Sequence, residues 1–123
     1  MKKMLCLMML LVASSSLTWA QKVDSPIEVS SAWVRLMPPS EKTSAAYMEI
    51  QNKTDKPLLL EKASSEGASI VELHYMTHIN GIMKMGMARD IIIPAKGKFA
   101  FDESGYHIML IDLKKPLKQG EPF

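Results

Sequence analysis

Cysteine is nearly absent from this 123-residue chain: the sole example is Cys6. It sits in an apolar stretch near the N-terminus, so residues 21–123 hold none. No disulfide can staple that part, and CxxC redox chemistry is excluded. A blue-copper electron-transfer site, which needs a thiolate beside two histidines, is excluded too. A surplus of one charge sign is also missing. Discounting Lys2 and Lys3 leaves 13 Lys and Arg against 13 Asp and Glu. A neutral domain has no electrostatic footprint for nucleic acid or an acidic membrane surface. There is no apolar run near the roughly 20 residues a membrane helix needs. No internal repeat, low-complexity tract or convincing amphipathic helix is visible.

What is present begins with Met1-Lys2-Lys3, an apolar run from Met4 to Ala13, and Thr18-Trp19-Ala20 before Gln21. A basic start, a short apolar centre and a small-x-small site have the layout of a secretory signal peptide, expected over residues 1–20. Lipid anchoring is not expected, because Cys6 lies inside the apolar segment and not at its end. Residues 21–123 are then one exported domain, expected in the periplasm with no membrane anchor. About 100 residues suffice for one core and not for two.

The remainder reads as short strands between turn signals. Ile27–Leu36 ends at Pro38-Pro39. Ala45–Gln51 is closed by the turn cluster from Asn52 to Pro57, and Pro57–Ala63 follows. Ile70–His78 and Ile82–Ala88 flank Asn80-Gly81, the preferred pair for a two-residue type I′ hairpin. Ile91–Ile93 stops at Pro94. Lys98–Phe101 and Tyr106–Asp112 flank Asp102-Glu103-Ser104-Gly105, which reads as a second hairpin. Many short strands at close spacing predict an all-β sandwich or barrel.

The first hairpin has a chemical consequence. A two-residue turn pairs Ile79 with Ile82, His78 with Met83, Met76 with Met85 and His74 with Met87. Side chains alternate along a strand, so His74, Met76, His78, Met83, Met85 and Met87 share one face. His74 and Met85 are diagonal neighbours. His107 and Met109, two apart, share a face of their own strand, whereas a helix would point them apart. Imidazole nitrogen and soft thioether sulfur without carboxylate favour copper, above all Cu(I), over Mg, Ca or Mn. Both histidines must be neutral to ligate, so binding weakens once they are protonated. Thioethers can still be lost to the sulfoxide.

Plainer readings stand beside this one. A methionine stripe at period two, taken alone, is more readily the buried face of a strand than a ligand set. A lone histidine such as His78 is more often a surface or hydrogen-bonded core residue. The chain is then a structural or adhesive β-sandwich of the cell envelope. A copper enzyme has little support, since no nucleophile–base pair or open carboxylate constellation is visible; the chain is expected to be no enzyme.

The spacing His74-x10-Met85-x21-His107-x-Met109 resembles the motif of the periplasmic copper(I) chaperones that supply the Cu(A) centre of cytochrome c oxidase, the PCu(A)C-like family. Ala32-Trp33-Val34-Arg35 followed by Pro38-Pro39, then Ala45-Ala46-Tyr47-Met48, is similar to the family's opening. Asn80-Gly81-Ile82-Met83-Lys84-Met85, Ile93-Pro94-Ala95 and Gly105-Tyr106-His107-Ile108-Met109-Leu110, followed by Leu113-Lys114-Lys115-Pro116-Leu117, are similar to its metal region. The resemblance runs from about residue 27 to the end. It implies a cupredoxin-like Greek-key β-sandwich and Cu(I) bound by His74, Met85, His107 and Met109. It also implies an acceptor protein, such as an oxidase subunit or a second copper carrier. Family members usually continue past the segment matching Leu117-Lys118-Gln119-Gly120 into two further strands. The expected fold therefore lacks its last strands, with an exposed strand edge where they would sit.

Overall fold

A computed structural model describes residues 24–123. The expected signal peptide, with Cys6, lies outside the described residues. Eight strands follow in order: β1 (Ile27–Val34), β2 (Thr43–Asn52), β3 (Leu58–Leu60), β4 (Ala68–Ile79), β5 (Ile82–Met87), β6 (Ile91–Ile93), β7 (Lys98–Phe101) and β8 (His107–Leu113). No helix occurs among the described residues, and every strand pairing is antiparallel. Each expected strand is present. The largest differences are the extension of β2 and β4, each by two residues at its start and one at its end, and the shortening of β3 to three.

The large sheet has the order β1-β2-β8-β4-β5, and β3 pairs with β6 in a small one. The last strand thus returns to lie between β2 and β4, a non-sequential order of the Greek-key kind. The core joins Ala46, Ile50, Leu73, Ile108 and Leu110 of the large sheet to Ile91 and Ile93 of the small one. Alternation then turns Ala45, Tyr47, His74, His107 and Met109 toward the other face of the large sheet. Asn52, fully buried, joins the sheets through polar contacts. Its Nδ2 donates to the carbonyls of Lys56, Ile93 and Pro94 at 2.7–3.1 Å. Its Oδ1 accepts from Thr54 N–H and Oγ1–H.

One expectation fails. β7 and β8 are not a hairpin, because both pair with β2 along the same edge. Met48–Gln51 of β2 face β7, and Thr43–Ala46 face β8. Residues 102–106 form an excursion within one interrupted line of strand. The Asp-x-Ser-Gly chemistry that suggested a hairpin closes this excursion instead. Asp102 Oδ1 accepts from Ser104 N–H at 2.9 Å and Ser104 Oγ–H at 2.7 Å, while Asp102 N–H donates to Tyr106 O at 2.9 Å. Such side-chain-to-backbone turns serve any tight reversal, so the local sequence does not say what the flanking strands pair with.

β1 lies at one edge of the sheet. Its register slips between Ser30 and Trp33, and Ser31 has φ of 52°. A bulge of this kind blunts an edge against pairing with another chain.

Candidate metal centre

The Asn80-Gly81 turn has φ of 51° and 76° at its two residues, the positive pair that type I′ demands. The β4–β5 register follows from it, with His74 opposite Met87, Met76 opposite Met85 and His78 opposite Met83. These six side chains share a face, as the sequence predicts. β8 completes the arrangement from the other side of β4, placing His107 opposite His74 and Met109 opposite Glu72. The two imidazoles meet edge to face, with centroids 5.8 Å apart and planes at 72°.

A cavity of about 280 Å³ opens on this face. His107, Met109, Met76 and Met85 line it together with Arg35, Met37 and Glu103. Arg35 is held from two directions. Its guanidinium lies 5.7 Å from the centre of the Tyr47 ring, and it pairs with Glu103 at 3.4 Å. Both partners of that pair are well exposed, so the pair adds little stability.

Each histidine has one nitrogen engaged and one free. His107 is buried, and its Nδ1–H donates to the Gly105 carbonyl at 3.2 Å. A carbonyl oxygen only accepts, so in the neutral ring Nε2 carries the lone pair. The same carbonyl accepts the Met76 backbone N–H at 3.2 Å, fastening the excursion to β4. The excursion is itself held by Asp102. Hydrogen bonds from the Ser104 hydroxyl and the Ser104 N–H, with a lesser one from the Gly105 N–H, keep the Asp102 carboxyl below its ordinary pKa against the opposing effect of desolvation. His74 is engaged at the opposite nitrogen: its Nε2 lies 2.7 Å from Glu72 Oε2. Its Nδ1 is buried without a hydrogen-bond partner. A buried polar atom left unpaired is costly and calls for an explanation.

Of the four residues singled out by spacing, Met85, His107 and Met109 line the cavity. His74 stands beside it against His107 and contributes no cavity wall. Met76 does line the cavity, directly across from Met85. His78 and Met83 share the face without reaching the cavity, and Met87 lines a separate one beside Arg89 and Asp90. The methionine stripe is not core: Met83, Met85 and Met87 are 53–55% exposed. Sequence reasoning missed Glu72, the Gly105 carbonyl and the Arg35–Glu103 wall. Glu72 had a usable signal, since two residues before His74 on a strand is the same face.

No cluster of three or more His, Cys, Asp and Glu able to hold a metal occurs among the described residues.

Three solved structures share the fold. A copper-bound PCuAC domain from PmoF2 aligns with TM-score 0.61 at 23% identity, over 78% of this chain and 74% of that one. An apo PCuAC domain from PmoF1 aligns with TM-score 0.61 at 24% identity, over 78% and 76%. Apo-DR1885 from Deinococcus radiodurans, solved in solution, aligns with TM-score 0.60 at 33% identity, over 98% and 82%. The fold is therefore the all-β, cupredoxin-like one of PCuAC domains, as the resemblance implied. Among curated proteins, "Putative lipoprotein Lxx21020" of Leifsonia xyli subsp. xyli is 31% identical over 109 residues. The alignment takes in 88% of this chain, which spans 64% of the length of that relative. A family model described as "Putative lipoprotein LpqE-like" matches residues 27–123. The chain belongs to this LpqE-like family and carries it on a PCuAC-type β-sandwich.

Proposed function

We propose that this protein is an exported metallochaperone that carries one Cu(I) as cargo. Residues 21–123 would be the chaperone domain, with His74, Met85, His107 and Met109 as the ligands. The observation that carries the reading is the pair of imidazoles. Each has one nitrogen within hydrogen-bond distance of an oxygen acceptor, Nε2 on His74 and Nδ1 on His107, and makes no hydrogen bond at the other. Metal-ligating histidines have this arrangement, with the second nitrogen oriented by a carboxylate or a backbone carbonyl. The thioethers of Met85 and Met109 on the same face supply soft donors. The copper-bound PmoF2 domain of the same fold supports the choice of metal.

Exposed Met85 is suited to ligand exchange, since an incoming donor can reach it while His107 and Met109 keep hold of the ion. The acceptor would be a cytochrome c oxidase subunit or another copper carrier of the periplasm. The lipoprotein descriptions of the relatives support export. For this chain we favour cleavage after Ala20 and a periplasmic domain without lipid, because Cys6 lies inside the apolar segment. A role in transfer, with no reaction catalysed, suits a site built of donors alone. The rival reading, a structural envelope sandwich with its methionine stripe in the core, is disfavoured by the exposure of Met83, Met85 and Met87.

The test is a Cu(I) competition titration against a chelator under reducing, oxygen-free conditions. The mature domain is expected to bind one Cu(I) and to melt higher when loaded. At a free ion concentration 100 times Kd the gain would be about 2.7 kcal/mol. Met85→Ala combined with Met109→Ala should abolish both effects, and equal binding by wild type and double variant would reject the site.

A further inference from the structure

Glu72 belongs to no part of the motif, yet it makes the shortest contact to either histidine. Its Oε2 lies 2.7 Å from His74 Nε2, and the remaining ring nitrogen is buried and unpaired. We propose that Glu72 is a positioning residue that locks His74 in the tautomer with hydrogen on Nε2, so that Nδ1 is the atom presented to copper. The proposal rests on the copper reading above and adds a residue and an atom assignment to it.

The physical argument starts from the strand. Glu72 and His74 are two apart on β4 and project from the same face. Glu72 stands opposite Met109, and His74 opposite His107. The carboxylate therefore reaches His74 along its own strand, from the side away from the hairpin turn. An ionised carboxylate only accepts hydrogen bonds, so Nε2 bears the hydrogen, and in the neutral ring that leaves the lone pair on Nδ1. Free imidazole divides itself between two tautomers, and only one of them leaves a donor electron pair at the site. Removing the wrong tautomer removes a competing state that copper would otherwise have to displace.

The two histidines are thereby set in opposite senses. The Gly105 carbonyl holds hydrogen on Nδ1 of His107 and frees Nε2, while Glu72 holds hydrogen on Nε2 of His74 and frees Nδ1. His107 and His74 are direct neighbours across the β4–β8 ladder. The two rings are tilted 72° to one another. The difference in anchor follows the chain: a carbonyl from the excursion is available beside β8, and a side chain on the same face is available on β4.

Long-range proton–nitrogen NMR of the metal-free domain, labelled at histidine nitrogen, reads both tautomers directly. Wild type should show a bare Nδ1 for His74 and a bare Nε2 for His107. Glu72→Gln retains an acceptor oxygen and should keep the His74 tautomer; Glu72→Leu should lose it while the His107 signals stay unchanged, showing that the fold survives. Cu(I) affinity should fall about 10- to 100-fold in Glu72→Leu relative to Glu72→Gln. A His74 that keeps hydrogen on Nε2 in Glu72→Leu would overturn the proposal. So would equal Cu(I) affinity in the Leu and Gln variants, or an equal loss in both, which would make the effect one of charge. His74→Ala separates the two levels. If it binds Cu(I) as tightly as wild type, the ligand assignment fails and takes the copper role of Glu72 with it. The tautomer result in metal-free protein stands apart from that outcome.

Discussion

The two halves of the candidate centre lie on strands of opposite character. β8 runs between β2 and β4, paired on both sides, and its alternate residues Ile108 and Leu110 are core. His107 and Met109 on its other face are accordingly buried and half-buried. β5 is an edge strand paired only with β4, and its three methionines are more than half exposed. One half is thus held by the packing of the whole sheet. The other is held by a single ladder and a two-residue turn. A carrier that must retain an ion and also release it benefits from this division, since exchange can begin at the edge without disturbing the interior.

The sharpest way to break the comparison is to truncate a residue on each strand. Leu110 is 2% exposed, and Leu110→Ala should cost about 2–5 kcal/mol in urea unfolding. Met85→Ala, at an exposed site, should stay within about 0.5 kcal/mol of wild type in the absence of metal. A comparable loss in both would mean that Met85 is packing and that the two strands do not differ in kind.

The turn that serves the edge half gives a smaller effect. Gly81 has φ of 76°, and a Cβ there would meet nothing within 4 Å. The whole penalty of Gly81→Ala is then backbone strain, about 1–2 kcal/mol. Amide shifts should move on β5 and leave the β2–β8 ladder in place; movement spread through β8 would show that the halves are mechanically joined.

The smallest effect concerns the excursion beneath His107. Because hydrogen bonds lower the Asp102 pKa in the folded protein, folding favours its ionised form. The stabilisation is present above the ordinary aspartate pKa and is lost as pH falls through the lowered folded value. Asp102 is exposed, so the change in global stability should be slight. The Ser104 amide shift should follow this titration with a midpoint below that of an unperturbed aspartate. A midpoint at or above the ordinary value would show that the excursion is not held as described.

Most of the fold was legible because its local signals are strong. Asn80-Gly81 demanded a type I′ turn, and that turn carried the register of β4 against β5, residue by residue. The strands were legible from alternation bounded by proline, glycine and asparagine. The pairing of β7 and β8 was not. A turn sequence reports that the chain reverses or loops, while the partner of each flanking strand depends on what the core buries. The exposure of the methionine stripe was hidden for a related reason. Period two states that Met83, Met85 and Met87 share a face, and not which face meets the second sheet. Glu72 passed unnoticed because no motif contained it, although its spacing from His74 was visible.

The sequence alone determined an all-β domain, a hairpin that gathers His74, Met76 and Met85 on one face, and a strand that presents His107 with Met109. Each of these depends on contacts between residues near in the chain, or on the alternation of one strand. The tertiary structure decided that β8 lies against β4, so that His107 meets His74 and Met109 meets Glu72. It also decided that this face looks away from the core. The physical reason is that strands far apart in sequence are brought together by burial of their apolar faces, a property of the whole chain that no local pattern encodes.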